Sequence, residues 1–274
     1  MPLAASTLSL PDVEKIFGLK EDSGYRSIWH LDKHDLVPVP ESLYGKLADI
    51  SSILGPDPAN EAICRLRLHA ILFDCIKAER ALLASPQQAR SDEGLSKKPV
   101  SLMLESRLSL EVQFQNSRRL LQGKSDYSVW YDDVDMATNL VIVEAKTRGV
   151  AGSGIAQCLA YMAMVHQIRK GLKKPNAIVY GCCSDGYRFD FLKIDNESRY
   201  TQWHCQQWGS KDRVSESEIY THLRCIIRAA VRSSSSPRKG DSMVDDTATG
   251  RPYRVAYTLR VGSAEEDEDM DDLF

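Results

Sequence analysis

The chain has 274 residues, 43% of them hydrophobic and 27% charged, which is the balance of an ordinary globular protein with material for one large domain or two small ones. Its longest apolar stretches fall well short of the ~18 residues a membrane helix needs. The opening MPLAASTLSLPDVEKIF lacks the basic start and long apolar core of a signal peptide, so an intracellular protein of the nucleus or cytoplasm is expected.

Residues 1–38 are polar and read as an irregular, partly ordered lead. Pro40 opens a helix, PESLYGKLADISSIL, in which Leu43, Leu47, Ile50 and Leu54 recur at helical spacing. GPDPAN breaks it, and Asn60 is a fitting N-cap for a second helix from Glu61 to about Leu83. Apolar residues surround that helix almost completely (Ile63, Leu66, Leu68, Ile71, Leu72, Phe73, Ile76), which predicts deep burial. Residues 85–99 are a loop by composition, with strands expected at 100–105 and 107–114. A hairpin follows within GKSDYSVWYDDVDMATNLVIVEAK (123–146), its turn near Asp133–Ala137.

A third helix starts near Ser153 and carries IAQCLAYMAMVHQIRKGL. PNAIVYGCCSDGYRFDFLKID reads as a second hairpin, with Asp185-Gly186 serving turn chemistry and Tyr187, Phe189 and Phe191 alternating beyond it. The last helix starts at a capping box, Ser215 to Glu218, and presents Ile219, Leu223, Ile226 and Ile227 on one face. The order is two helices, a β-meander, a helix, a hairpin and a helix. It predicts an α/β fold, a mixed central sheet flanked by helices, over 39–232. Residues 233–250 read as a Ser-rich linker, 251–262 as an edge strand, and 263–274 as a disordered acidic tail.

The net charge of −3 conceals an asymmetry, since EEDEDMDD (265–272) holds seven acids and the rest of the chain carries +4. A mildly basic body with an acidic tail is compatible with a polyanionic partner. The seven cysteines (64, 75, 158, 182, 183, 205, 225) form no CxxC pair and fit reduced thiols better than a disulfide frame. His204-Cys205 finds no second pair at zinc spacing. His166, on an apolar helix, reads as a core histidine with its hydrogen bonds satisfied. Trp203 and Trp208 suit base stacking, yet burial is the commoner fate of tryptophan.

The first hairpin carries the chemistry. Asp126 opens one strand, while Glu144 and Lys146 close the other after Leu140-Val141-Ile142-Val143. With the turn at Asp133–Ala137, facing residue numbers sum to about 270–272, which sets Asp126 across from Glu144–Lys146 within one step. Glu144 and Lys146 share a face by strand alternation. If the register brings Asp126 to that face, two carboxylates and an ammonium converge. Such a group is costly to bury unless it pairs or binds a metal, and it suits Mg2+ or Mn2+. The plainer reading of Glu-x-Lys is a solvated surface pair.

Asp126 followed by Glu144-Ala145-Lys146 resembles the signature of the PD-(D/E)XK, or restriction-endonuclease-like, nuclease superfamily. The flanking features are similar to fungal nuclease-like members: a helix opening with Asn60-Glu61, the entry GKSDY, a following helix with Gln157 and Tyr161, and the hairpin VYGCCSDGYRFDFL. The resemblance spans about Asn60 to Arg232. It implies metal ligation by Asp126, Glu144 and the Ala145 carbonyl, with Lys146 as catalytic lysine, Glu61 as a further acid and Gln157 assisting. Ser125 stands where the family has proline. For the Glu61 role Glu79, Glu105 and Glu111 compete, and Glu61 also reads simply as an acid favoured at a helix start. Tyr161 lies on the same helix face as Gln157, where core packing is its expected job.

Arg118, Arg119 and Lys124 precede the site, Arg148 follows it, and Lys173 and Lys174 end the next helix, together suggesting a phosphate-tracking groove. Cations are also favourable at a helix C-terminus on their own account. The resemblance implies a magnesium-dependent nuclease acting on nucleic acid, DNA before RNA, with a homodimer suited to cutting two strands. Against it stand a nuclease fold retired to nucleic-acid binding, and a protein-interaction role for which no motif speaks.

Overall fold

The computed structural model describes residues 2–22, 29–55, 61–83, 101–130, 140–144, 151–174, 176–204, 207–209 and 213–234. Five α-helices and eight strands are defined among them: β1 (Leu3–Ala4), α1 (Leu10–Phe17), β2 (Lys20–Glu21), α2 (Glu41–Leu54), α3 (Glu61–Leu83), β3 (Ser101–Phe114), β4 (Ser117–Trp130), β5 (Leu140–Glu144), α4 (Ala151–Gly171), β6 (Val179–Ser184), β7 (Phe189–Ile194), β8 (Arg199–His204) and α5 (Val214–Ser234). The strands form one mixed sheet ordered β1-β4-β5-β6-β7-β8-β2, with β3 paired along the other edge of β4. Helices cover both faces, so the architecture is the α/β layer arrangement that the element order predicts.

α2, α3 and α5 pack on one face with Tyr127, Val129, Cys182, Phe189 and Phe191 of the sheet. α1 and α4 pack on the other with Leu108, Leu110, Val112, Leu121, Val179, Cys183, Leu192 and Ile194. α4 links β5 to β6, which run parallel, so it serves as the crossover such a pair requires. No described helix is long and apolar enough to cross a membrane.

Several elements differ from the sequence expectation. The lead folds over much of its length: α1 carries a Ser9–Asp12 capping box, Pro11 in its first turn and left-handed Gly18 at its end. β1 and β2 then add parallel edges to β4 and β8. The strands expected at 100–105 and 107–114 are one strand, β3, which continues through left-handed Glu105 at φ 55°. β3 returns through Gln115 and Asn116, both at positive φ, into β4, whose first half SRRLLQG escaped notice because it is half polar. α5 starts at Val214, so Ser215 lies inside the first turn instead of capping it. α3 is less enclosed than its composition implies, because Leu66 and Phe73 stand 45% and 54% exposed. Leu54, counted in the α2 stripe, is also exposed. The expected N-cap Asn60, the loop 85–99, the turn Asp133–Ala137, nearly all of the linker, the edge strand and the acidic tail lie outside the described residues.

Candidate active site

β4 is shared between two neighbours. Its first half pairs with β1 at Leu121 and Gln122, and its second half pairs with β5, Tyr127 opposite Ile142 and Val129 opposite Leu140. Facing numbers in that pair sum to 269, one short of the sequence-derived register. A one-residue slip reverses the facing of a regular strand. β4, however, is not regular there. Leu121 belongs to the α4-side core and Tyr127 to the α3-side core, although six residues apart they should share a face. On β3 the same change separates Leu108, on the α4 side, from Leu102, on the α3 side. Glu105 lies between these two β3 positions, and Asp126 is its neighbour in the β3–β4 register.

This change of side aims Asp126 at the first turns of α3. Arg65 Nη2 donates to Asp126 Oδ1 at 3.1 Å and to Glu61 Oε1 at 2.7 Å, so one guanidinium nitrogen links the strand carboxylate to the helix carboxylate. The Asp126 side chain is 20% exposed and that of Glu61 36%. Tyr127 Oη donates to the Arg65 carbonyl at 3.0 Å and pins α3 to the strand. Beside these residues lies a cleft of about 440 Å3, lined by Ala62, Arg65, Leu66, His69, Leu104, Glu105, Asp126 and Tyr127. Burial holds His69 below the usual histidine value, so its ring is neutral at pH 7. Lys124 Nζ contacts Glu105 Oε2 at 2.7 Å, and that hydrogen bond is the main cause of a lowered Glu105 pKa.

Behind Asp126, on the α4 side, Tyr161 is buried and its hydroxyl accepts from the Lys124 backbone N–H at 3.0 Å and from Gln157 Nε2 at 3.1 Å. Burial is the first cause raising its pKa, and the Asp126 charge adds to it, so the hydroxyl stays protonated. Sequence reasoning assigned Tyr161 to packing alone. Its burial and its contact with Gly123, where a Cβ would stand 2.2 Å from Cε1 of the ring, bear the packing out, and the hydroxyl's two hydrogen bonds are what was missed.

The structure therefore brings Asp126, Glu61, Glu105 and Lys124 together, with Gln157 attached through Tyr161. Glu144 ends β5 with its backbone in register with Ser184 of β6. The Glu144 side chain, Ala145, Lys146 and Arg148 lie outside the described residues. Of the rival acids, Glu79 is buried at 1% exposure and bound by Arg224 and Arg228 of α5, away from the site. Glu111 lies exposed farther along β3, opposite Leu120.

The described basic residues are spread over β4 and the far end of α4. Arg118 and Arg119 sit eight and seven positions before Asp126 on β4, about 25 Å along an extended strand. Lys173 and Lys174 follow the C-terminus of α4, whose 21 residues span about 30 Å. Their backbone amides close that helix end on Lys170 and Arg169. Only Lys124 of the described set stands beside the cleft.

His166 bonds Ala177 O and Ser198 Oγ in the core, and Asp185 Oδ1 accepts from the Tyr187 and Arg188 amides, the turn role expected of it. Trp208 is buried in the α3-side core. Among the described residues no three His, Cys, Asp or Glu side chains group as a metal cage. Comparison with protein-family models finds no match, and no curated protein matches in sequence.

Proposed function

We propose that this chain is a metal-dependent phosphodiesterase of the PD-(D/E)XK, restriction-endonuclease-like kind, acting on nucleic acid, DNA before RNA. The observation that carries the reading is the Glu61–Arg65–Asp126 link. Two carboxylates from different elements stand within hydrogen-bonding reach of one cationic nitrogen, at the rim of an open cleft. All-oxygen donors, partly exposed, suit a hard divalent cation such as Mg2+ or Mn2+, which commonly takes one or two carboxylates and keeps its remaining waters.

Asp126, Glu144 and the Ala145 carbonyl would hold the ion. When bound, it would supply charge neutralisation at the phosphate and a more acidic coordinated water. Lys146 would orient the attacking water and offset the charge that develops on the phosphate. Gln157 would steady the site through the Tyr161 hydroxyl, and Lys124 would receive a flanking phosphate. A homodimer would place two such sites for cutting both strands, in a protein of the nucleus or cytoplasm.

The test is nicking of supercoiled plasmid and of single-stranded substrates with Mg2+ or Mn2+. Folded Asp126→Asn and Lys146→Ala variants should each lose at least about 100-fold in rate. Cleavage that survives both substitutions rules the reading out.

One observation favours a second reading, a nuclease-fold domain that binds nucleic acid without cutting it: the carboxylates already have a cation of their own in Arg65. Salt-sensitive binding of DNA without divalent-dependent cleavage would select it.

A further inference from the structure

Arg65 is a residue that the sequence pattern did not single out, and its placement carries a consequence for the site. Its guanidinium occupies Glu61 Oε1 and Asp126 Oδ1 through one nitrogen. Two carboxylates held this close repel one another unless a cation sits between them. A guanidinium does not lose its proton in any ordinary pH range, so it cannot leave by titration. It can leave only by moving. The Arg65 backbone is fixed in α3 and accepts from Tyr127 Oη, whereas its side chain is 41% exposed and lines the open cleft. A second acid stands on the same cleft: Glu105, 54% exposed, whose pKa is lowered in part by Arg65.

We propose that Arg65 is a resident counter-ion of the candidate metal site. Its guanidinium ties Asp126, a ligand of that site, to Glu61 in the metal-free protein and releases both, swinging toward Glu105, when a divalent cation loads at Asp126. The inference rests on the functional reading above. It assigns Arg65 a role no metal ligand has: it keeps the paired carboxylates close and correctly aimed before loading, and it sets the ion concentration at which loading occurs. Once displaced, the guanidinium remains tethered at the cleft, where a substrate phosphate can take up its charge.

The arrangement predicts competition. Removing the guanidinium should strengthen divalent binding and weaken the metal-free fold. Two partly exposed ion pairs must be given up on loading, so Arg65→Gln should bind Mn2+ roughly tenfold more tightly.

Calorimetric titration of Mn2+ into the full-length protein, with thermal unfolding at zero and saturating Mn2+, reads both effects. Arg65→Gln should melt below wild type without the ion and gain more from it. Arg65→Lys, which keeps a charge on a different head, should fall between the two and carries the test if the glutamine variant does not fold. Adding Asp126→Asn to Arg65→Gln should abolish the gained affinity. Equal or weaker Mn2+ binding by Arg65→Gln, with uptake by wild type intact, overturns the proposal and leaves the metal reading standing. No uptake by any variant, with a short DNA duplex present, removes the metal reading itself and the counter-ion role with it.

Discussion

Ser125 and Ser128 stand three positions apart on β4, yet their hydroxyl oxygens lie 2.9 Å from each other. In a regular strand, side chains three apart point to opposite faces. Both serines are buried, at 0% and 1% exposure, so the contact marks the point where β4 changes side and swings Asp126 toward α3. Ser125→Val removes the contact, leaves Ser128 Oγ without this partner and adds bulk at a closed position. Its expected cost is about 1–3 kcal/mol in denaturant unfolding. Mn2+ affinity should fall as well, because Asp126 loses its fixed direction. A variant with reduced stability and unchanged Mn2+ affinity would separate the serine pair from the site.

Gly123 and Tyr161 form the complementary device on the α4 side. The ring lies where a Gly123 side chain would be, with its Cε1 and hydroxyl 2.2 and 2.5 Å from an added Cβ. Gly123→Ala must therefore displace a fully packed ring, and with it the hydrogen bond from the Lys124 amide. The expected loss is about 1–3 kcal/mol, a fall of several degrees in Tm. Tyr161→Phe keeps the packing and removes only the hydroxyl, so it should cost about 1 kcal/mol. The ordering of the two, read by thermal unfolding, tests whether close approach or the hydroxyl dominates.

The same two devices explain what the sequence made legible. Periodicity located α2, α3, α4 and the β6–β7 hairpin, because each buries a continuous apolar face. The turn register set Asp126 beside the end of β5 to within one step, although Asp126 lies inside β4 and does not open it. It did not locate the change of side at Asp126, since Ser125 and Ser128 look like ordinary strand residues and left-handed Glu105 is not a glycine that would advertise the turn. α1 stayed hidden although Ser9 and Asp12 spell its capping box, because the helix is only eight residues long. Arg65 is legible only in three dimensions. Its spacing from Glu61 reads as a surface pair at one helical turn, and nothing in the chain places Asp126 beside it.

Glu79 shows how the helix that positions Glu61 and Arg65 is anchored. Its carboxylate is 1% exposed and accepts from Arg224 Nε at 2.6 Å and from Arg228 Nε and Nη2 at 2.9 Å, joining α3 to α5. Truncating one partner of a buried ionic cluster leaves the others uncompensated, at about 3–5 kcal/mol. The Arg228 side chain is 32% exposed and can turn to water, so Glu79→Ala should sit at the lower end, about 3 kcal/mol. Glu79→Gln keeps the shape and part of the bonding, and should cost less. Urea unfolding of both variants reads the difference; equal losses would mean that packing, not charge, holds the two helices together.

His222 is expected to make the fold sensitive to acid. Its ring is buried at 4% exposure, with ring centroids 5.7 Å from Trp29 and 5.2 Å from Phe191, and burial lowers its pKa from 6.5 to about 4. Between those values the unfolded chain takes up a proton that the folded chain refuses, so acid favours unfolding. The associated stability is fully present above pH 6.5 and is lost as pH falls toward 4, by about 2–3 kcal/mol. His222→Phe retains an aromatic ring and removes the titration. It should therefore flatten the decline in unfolding free energy between pH 6.5 and 4, with little change at pH 8. Matching pH profiles for the variant and wild type would show that the acid sensitivity resides in other groups.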